Sequence, residues 1–303
     1  MAKFTRETIR IPTKDKAVCL HVWLYRPDVP APFPVVVAGH GMTMIKDAGL
    51  ATFGEIWATQ AGYASLIFDY RYFGDSDGEP RNLVSLDDQL EDYKTVIAWA
   101  RSQPKLFLRD KIVLMGFSLS GFALSELAVK DPDLAGAIAI CPMLDGYDTL
   151  KLMPFDPRLV FWAIVDTIKA KIGLSRVFIK AIGRPHEFSL LHSPGSYPGF
   201  IASYSHGSTS FEETPNLITP RVVFEMMGTR SGRALKSAGC PVLFVTTTDD
   251  DLIPAKIARE IAASATTVVT LVETPGGHFD LLAGGKGFDT SVSAQLEFLG
   301  SLR

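Results

Sequence analysis

The sequence predicts an α/β fold with a mostly parallel central sheet and helices on both of its faces. Short runs recur along the chain that are apolar on both faces, as strands are when helices cover both sides of a sheet. Helical patterns lie between these runs, and such alternation favours parallel pairing through right-handed crossovers. With 303 residues, 47% of them hydrophobic, the chain can bury one large core or two small ones.

The predicted elements alternate along most of the chain, and no internal repeat is visible. Each predicted strand is a run of mostly apolar residues, and the helical patterns fall between these runs. The predicted strands are residues 21–27, 34–39, 64–70, 111–117, 135–141, 241–247 and 267–273. The predicted helices are residues 48–61, 85–102, 120–130, 255–264 and 289–302.

One long interval, residues 146–236, interrupts this alternation. It contains the apolar segment 158–165 and then a section rich in Gly, Pro and Ser, without a strand that is followed promptly by a helix. An insertion of this length that still carries aromatic and aliphatic residues favours a helical cap over a disordered linker. We therefore predict a core formed by residues 1–145 and 237–303, with residues 146–236 as an inserted helical cap.

The composition excludes several classes of protein. The formal net charge is -3 and the isoelectric point is about 6.1, without a block of Lys and Arg, so nucleic acid is not an expected partner. The first residues lack the apolar segment of a secretion signal, and no later stretch is long and apolar enough to span a membrane, so we expect a cytoplasmic protein. Three cysteines in apolar or strand-like surroundings predict small buried side chains rather than a disulfide or a metal site: Cys19, Cys141 and Cys240.

The candidate nucleophile is Ser118, which follows an apolar run and precedes a helical pattern. This order predicts a strand, a sharp turn and a helix, as in the G-x-S-x-G motif of hydrolases that expose a serine at such a turn. The turn brings neighbouring backbone close to the positions two before and two after the serine, so small residues are needed there. Gly116 fills the first position, but Ser120 replaces the usual second glycine and is followed by Gly121.

Asp250 and His278 complete a candidate triad. Both follow predicted strands, and catalytic groups of open α/β sheets gather beyond the carboxyl ends of the strands. A serine hydroxyl is a poor nucleophile until an imidazole accepts its proton, and a carboxylate fixes the imidazole tautomer and stabilises its charged form. The chain order Ser, Asp, His is the order that α/β-hydrolases have.

Several residues compete for these roles. Asp249 and Asp251 flank Asp250, which is favoured because Pro254, four residues on, is placed to open the following helix. Asp145 is an outside candidate for the acid, since it also follows a predicted strand. His278 is favoured as the base because it lies in a glycine-rich turn after a strand, and its competitors are His40, His186, His192 and His206.

Backbone amides at two turns are the candidate oxyanion donors. The Met42 N–H, after the predicted strand 34–39, can join the Leu119 N–H in binding a developing negative oxygen. The Met42 side chain carries no chemistry of its own. A plain turn from strand to loop is therefore the alternative interpretation.

Four segments together resemble the α/β-hydrolase superfamily. They are residues 39–47 (GHGMTMIKD), 69–81 (DYRYFGDSDGEPR), 116–121 (GFSLSG) and 276–280 (GGHFD). Within the superfamily, the first two resemble most the fungal hydrolases and polyketide transferases of secondary-metabolite clusters. The resemblance implies acyl chemistry on a lipophilic substrate without a cofactor. It also implies a triad of Ser118, Asp250 and His278, with Met42 and Leu119 as oxyanion donors.

Two other groups of residues have structural interpretations. Segment 69–81 carries paired opposite charges and two glycines, so we expect it to stabilise itself near the rim of the site rather than bind a ligand. Aromatic residues of the predicted cap either line an apolar pocket or pack the cap against the core. They are Phe155, Phe161, Trp162, Phe178, Phe188, Tyr197, Phe200 and Tyr204.

The leading hypothesis is a serine hydrolase, an esterase or thioesterase, that forms an acyl-Ser118 intermediate. The second is an acyltransferase that passes the acyl group to an alcohol or amine. The third is a cyclase or ligand-binding protein without a nucleophile, and a complete triad with oxyanion donors argues against it. The sequence leaves open the natural substrate, its delivery by a carrier protein and the oligomeric state.

Overall fold

The computed structural model describes residues 3–14 and 16–303. In this part of the chain the strands are β1 (Phe4–Pro12), β2 (Cys19–Pro27), β3 (Phe33–Gly39), β4 (Ala64–Phe68), β5 (Phe107–Phe117), β6 (Gly136–Ile140), β7 (Ile179–Lys180), β8 (Leu217–Ile218), β9 (Val242–Thr247) and β10 (Val269–Thr274). The helices are α1 (Ala51–Ile56), α2 (Leu86–Arg101), α3 (Gly121–Lys130), α4 (Gly146–Leu152), α5 (Pro157–Lys171), α6 (Ser196–Tyr204), α7 (Val222–Met227), α8 (Ala255–Ser264) and α9 (Phe288–Ser301).

Eight of these strands form one sheet in the order β1-β2-β4-β3-β5-β6-β9-β10. β2 pairs antiparallel with both β1 and β4, and every other pairing in the sheet is parallel. The mostly parallel sheet that the sequence predicted is confirmed. Its carboxyl edge is where β3, β5, β9 and β10 end, and ligands bind at such edges.

β1 is a strand that the sequence did not predict. It forms one edge of the sheet and pairs with β2 along its whole length, from Phe4 opposite Pro27 to Pro12 opposite Cys19. Most of its residues are exposed, and its sequence FTRETIRIP mixes charged and apolar residues. An exposed edge strand lacks the continuous apolar run on which the strand prediction depended.

The central strands are buried because helices cover both faces of the sheet. Every residue of β4, β6 and β9 is buried, and burial of each Val, Leu or Ile side chain contributes about 1.5–3 kcal/mol to stability. α2 and α3 contact β5, whereas α8 and α9 contact β9. The turns at the carboxyl edge of the sheet are therefore held on a rigid support.

Between β6 and β9 the chain forms an insertion that contains α4 to α7, β7 and β8. β7 and β8 pair antiparallel with each other in a separate sheet, which the predicted helical cap did not include. Two-residue strands are too short to give a periodic pattern, which explains the omission. The cap boundaries at residues 146 and 236 stay a prediction.

Asp47 holds one loop of this insertion beside the end of β3. Its Oδ2 accepts hydrogen bonds from the Ser208 N–H and hydroxyl, both at 2.8 Å, and from the Thr209 N–H at 2.7 Å. Three hydrogen bonds to one carboxylate oxygen fix the insertion against the core.

Among the described residues, no helix combines the length and the apolar character that a membrane crossing requires.

Candidate active site

Ser118 lies in a sharp turn between β5 and α3. A short 3-10 turn, Ser118–Ser120, joins the strand to the helix, and Ser118 itself has a φ of 56°. This left-handed conformation is uncommon for a residue with a side chain and is typical of strained functional turns. A Cβ built on Gly116 would lie 3.0 Å from Ser120 O, and one built on Gly121 would lie 2.5 Å from Pro142 Cβ. The turn therefore requires glycine at position 121, whereas a side chain at position 116 would need a small shift of the Ser120 backbone.

The structure brings Ser118, His278 and Asp250 together in one hydrogen-bonded chain. His278 Nε2 lies 2.9 Å from Ser118 Oγ, and His278 Nδ1 lies 2.7 Å from Asp250 Oδ2. A carboxylate only accepts hydrogen bonds, so Nδ1 carries the ring hydrogen and Nε2 is free to accept the Ser118 proton. This is the geometry that the activation of a serine requires.

The backbone fixes the Asp250 carboxylate in place. Its Oδ1 accepts hydrogen bonds from the Leu252 N–H at 2.9 Å and the Ile253 N–H at 2.7 Å, while Oδ2 is left for His278. Asp250 and His278 are both buried. Since the backbone amides hold the Asp250 carboxylate in place, its Oδ2 in turn fixes the orientation of the His278 imidazole.

The competing carboxylates have other partners. Asp249 is exposed and accepts a hydrogen bond from the Gly276 N–H at 3.2 Å. Asp251 accepts one from the Gly195 N–H at 2.7 Å. Asp145 precedes α4 and pairs with arginines of the insertion.

The competing histidines are also placed elsewhere. His186 and His206 are exposed, and His192 Nδ1 lies 3.2 Å from Ser189 O. His40 is buried, with its Nδ1 2.9 Å from Gly41 O. Within the described ranges, His278 is the histidine that forms a hydrogen bond with Ser118.

The loop after β3 lies directly against Ser118. A Cβ built on Gly41 would come within 3.1 Å of Ser118 Cβ, so a larger residue there would require a small shift of its neighbours. Met42 and Leu119 line the same cavity as Ser118. Within residues 3–14 and 16–303, the Met42 N–H has no acceptor in the protein. Both predicted oxyanion donors are therefore next to the candidate nucleophile, and their role stays a prediction.

A small cavity of about 30 Å³ opens at Ser118. Its walls are apolar, with two hydroxyls among them, and they come from the core and from the insertion. Four of the chain's eight methionines take part, and none of the predicted cap aromatics does. The lining residues are Met42, Ser118, Leu119, Met143, Thr149, Met153, Leu191, Met226, Leu252 and Ile253.

A larger apolar groove adjoins this cavity at Met153 and runs along α4, α5 and α7. Phe155, one of the predicted cap aromatics, lines the groove and is 81% exposed. Phe200 and Tyr204 are instead buried. Phe161 and Trp162 are exposed without lining the groove, so the cap aromatics do not form one continuous pocket lining.

Cys141 is a buried neighbour of the triad that the sequence analysis did not connect with it. Its Sγ lies within 4.8 Å of ligand atoms of Asp250 and His278, so the three residues have the spacing of a metal site. Burial, together with the charge of Asp250, raises the pKa of the Cys141 thiol well above its ordinary value. His278 Nδ1 and Asp250 Oδ2 are, however, hydrogen-bonded to each other at 2.7 Å, so these atoms are already used within the triad.

Segment 69–81 stabilises the region behind the site through its own charges. The Asp69 carboxylate is fully buried and lies 2.5 Å from Lys46 Nζ, and it accepts a hydrogen bond from the Lys46 N–H at 2.7 Å. Arg71 Nε donates to Asp92 at 2.7 Å, and the Arg81 side chain donates to the Gly74 carbonyl at 2.6 Å. These contacts agree with the expected structural role of the segment.

Comparisons with known proteins identify relatives of this chain and solved structures with its fold. A family model described as X-Pro dipeptidyl-peptidase (S15 family) matches residues 15–161. The quorum-quenching protein AidA of Acinetobacter baumannii is 33% identical over 279 residues, which cover 91% of this chain and 89% of that protein. The polyketide transferase af380 of Aspergillus fumigatus is 26% identical over 307 residues, which cover 97% of each chain. Other relatives are named thiohydrolases.

The fold is also that of a solved α/β-hydrolase, GrgF of a Penicillium species. The TM-score is 0.72 at 22% sequence identity, and the alignment covers 98% of each chain. The predicted superfamily is confirmed, as is the predicted class of enzyme, a hydrolase or acyltransferase. Because it is one-third identical to AidA over most of both proteins, the chain, which has the α/β-hydrolase fold, belongs to the same protein family as AidA.

Proposed function

We propose that the protein is a serine hydrolase that cleaves an ester or thioester of a lipophilic acyl substrate through an acyl-Ser118 intermediate. The observation that carries the proposal is the chain of hydrogen bonds from Asp250 through His278 to Ser118, at 2.7 Å and 2.9 Å. The strained turn at Ser118 and the apolar cavity above it support the same conclusion.

In the first half of the reaction, His278 Nε2 accepts the Ser118 proton while Oγ attacks the acyl carbonyl carbon. The tetrahedral oxyanion is bound by the Met42 and Leu119 N–H groups. When this intermediate collapses, the bond to the leaving group breaks and His278 donates its proton to the departing alcohol or thiol. Asp250 stabilises the imidazolium throughout this half-reaction.

In the second half, water attacks the acyl-Ser118 carbonyl and His278 accepts one of its protons. Collapse of the second tetrahedral intermediate releases the carboxylic acid, and His278 returns the proton to Ser118 Oγ. The two half-reactions consume one water and leave the enzyme unchanged. This chain's residues supply every proton transfer in the cycle.

The cavity indicates what kind of acyl group is bound. Its lining has no charged side chain, so the part of the acyl group that lies next to Ser118 is expected to be apolar rather than to carry a carboxylate. Methionine side chains are flexible and polarisable and adapt to irregular shapes. The relatives that are named polyketide transferases and thiohydrolases favour a polyketide-type acyl group, carried as an ester or thioester.

Acyl transfer is the second candidate function, and the groove along α4, α5 and α7 favours it. This apolar groove adjoins the Ser118 cavity at Met153 and has room for an alcohol or amine acceptor. Such an acceptor would replace water in the second half of the cycle. The complete hydrogen-bonded triad argues against a cyclase or a binding protein without a nucleophile.

Product analysis distinguishes these functions. The protein is incubated with acyl thioesters of short and long chains, with and without alcohol and amine acceptors, and the acid, ester, amide and free thiol are quantified. We expect acid and thiol in equal amounts, and neither with Ser118→Ala. Ester or amide in place of acid would establish the transferase, and full turnover by Ser118→Ala would overturn the acyl-enzyme.

The proposal also includes two further points: a carrier protein delivers the acyl group, and the enzyme is located in the cytoplasm. Acyl-carrier-protein thioesters, compared with the corresponding small-molecule thioesters, test the first part. A higher kcat/KM with the carrier supports it, and equal values contradict it. Cell fractionation followed by immunoblotting tests the second part.

A further inference from the structure

Ser120 stands where the usual nucleophile motif has its second glycine. Its side chain is fully buried, which is unfavourable for a hydroxyl unless it is hydrogen-bonded. Ser120 Oγ has two partners, His40 O at 2.5 Å and the Tyr70 hydroxyl at 2.5 Å. The hydroxyl therefore joins two segments that are far apart in the sequence.

The nature of the partners determines the direction of these hydrogen bonds. His40 O is a carbonyl oxygen and only accepts, so Ser120 donates its single hydroxyl proton to it. Tyr70 must then donate to Ser120 Oγ. Burial raises the pKa of Tyr70 well above its ordinary value, so the phenol keeps the proton that it donates. The chain runs from Tyr70 to Ser120 to the backbone of His40.

Tyr70 contacts His40 a second time through its backbone. The Tyr70 N–H points to His40 Nε2 at 3.4 Å, and His40 Nδ1 lies 2.9 Å from Gly41 O. An amide N–H only donates, so Nε2 is unprotonated and Nδ1 donates to Gly41. Burial lowers the pKa of His40 to about 4, which keeps the ring neutral near pH 7. The ring and the carbonyl of His40 are thus both fixed.

We propose that Ser120, assisted by Tyr70, is a positioning residue that sets the place of the oxyanion loop relative to the nucleophile. Ser120 belongs to the same short turn as Ser118 and Leu119, and its acceptor His40 is two residues before Met42. One hydrogen bond thus links the segments that carry the two proposed oxyanion donors. The inference rests on the proposed function, because the distance between these amides matters only if they bind an oxyanion.

The size of the expected effect follows from the chemistry. Loss of one direct oxyanion donor costs about 100- to 1,000-fold in kcat, and misplacement of a reacting group by about 1 Å can cost about 100-fold. Ser120 touches neither the substrate nor the oxyanion. We therefore expect that Ser120→Ala lowers kcat by about 10- to 100-fold, with KM changed by less than about twofold.

The test measures binding of a transition-state analogue alongside turnover. Ser118 Oγ adds to the carbonyl carbon of an alkyl trifluoromethyl ketone and forms a tetrahedral oxyanion. Hydrolysis of p-nitrophenyl butyrate gives kcat and KM. Ser120→Ala should raise the Ki of the ketone by about the factor by which it lowers kcat/KM. Tyr70→Phe should have a smaller effect in the same direction. Because Tyr70 acts through Ser120, the double variant should match Ser120→Ala.

Ser125→Ala is the matched control. Ser125 is also a fully buried serine of this region, on α3, but its hydroxyl donates to Gly121 O at 2.7 Å, within the helix. Its removal should leave kcat, KM and the Ki of the ketone unchanged. The comparison separates the loss of a buried hydroxyl from the loss of the link to His40.

The outcomes are distinct. If Ser120→Ala lowers the melting temperature but leaves kcat and Ki unchanged, its role is structural and the proposal is overturned. If Ser120→Ala does not fold, Tyr70→Phe decides, since an unchanged Ki in that variant also overturns the proposal. If the ketone does not inhibit the wild-type protein and Ser118→Ala remains active, the proposed function itself is wrong, and the positioning role is refuted with it.

Discussion

Asp145 Oδ2 accepts a hydrogen bond from Arg233 Nε at 2.8 Å, and the two residues lie at opposite ends of the insertion. Asp145 directly precedes α4, whereas Arg233 belongs to the 3-10 turn Ser231–Ser237. The same carboxylate caps α4 by accepting from the Asp148 N–H at 3.0 Å. Asp145 therefore holds the two ends of the insertion together, which explains why it is not available to His278.

Asp145→Ala should destabilise the protein without removing its chemistry. Loss of a helix cap and of charged hydrogen bonds at a buried carboxylate predicts a decrease of about 1–3 kcal/mol in the free energy of unfolding. Urea unfolding at pH 7 measures this decrease. A loss of turnover as large as that of Asp250→Asn would instead make Asp145 the catalytic acid.

The pH dependence of this contribution has a definite sign. Burial opposes ionisation of Asp145, but hydrogen bonds from Arg233, the Asp148 N–H and Arg230 outweigh it, so its pKa lies below the ordinary value. A lowered carboxyl pKa stabilises the fold above the unfolded-state pKa of about 3.9, and this stabilisation disappears as the pH falls through the folded-state pKa. The difference in stability between wild type and Asp145→Ala should therefore be smaller at pH 2 than at pH 7.

Ser118→Ala should abolish turnover and covalent labelling together. A fluorophosphonate probe should label the wild-type protein once, at Ser118, and should not label the variant. Loss of the nucleophile predicts a decrease in turnover of several orders of magnitude. Intact-mass spectrometry gives the stoichiometry of labelling, and Ser125→Ala serves as the labelled control.

Asp250→Asn should lower kcat by about four orders of magnitude, because an amide stabilises the wrong tautomer of His278. Asp249→Asn and Asp251→Asn are matched controls on the same loop and should have mild effects. Steady-state kinetics with p-nitrophenyl butyrate measures all three variants. Equal losses at the three positions would indicate that the loop, rather than one carboxylate, is responsible.

His40 should make the protein less stable in mild acid. Burial lowers its pKa to about 4, whereas an unfolded histidine has a pKa of about 6.5, so the unfolded state binds more protons between these values. Stability therefore rises with pH in this window, and His40 alone predicts a loss of about 2 kcal/mol between pH 7 and pH 5. Urea unfolding of wild type and His40→Gln at both pH values measures the difference. Equal losses in the two proteins would contradict this prediction.

Much of the sheet could be predicted because its strands are continuous apolar runs. β4, β6 and β9 are such runs, and all of them were predicted close to their observed positions. β1 was missed because it is an exposed edge strand, and β7 and β8 because each has only two residues. Patterns in the sequence report burial on both faces and do not reveal strands that lack it.

The candidate site was predictable to the extent that it depends on strand ends. Ser118, Asp250 and His278 each follow a strand, and the structure brings them into hydrogen-bond contact. The link from Tyr70 through Ser120 was not predictable, because the two residues are fifty positions apart and meet only after β3, β4 and β5 have paired. The replacement of a usual glycine by Ser120 was its one visible sign.

The methionines at the Ser118 cavity make the site sensitive to oxidation, whereas a cavity lined by leucine would not be oxidised. Four methionines line it, and Met153, where the cavity meets the outer groove, is partly exposed, whereas Met42, Met143 and Met226 are buried. Oxidants convert such thioethers to sulfoxides, which are polar and chiral. An apolar acyl chain would then meet a polar wall beside the nucleophile. Oxidation of Met153 is therefore expected to lower activity on lipophilic substrates, and enzymatic reduction of the sulfoxide is expected to restore it.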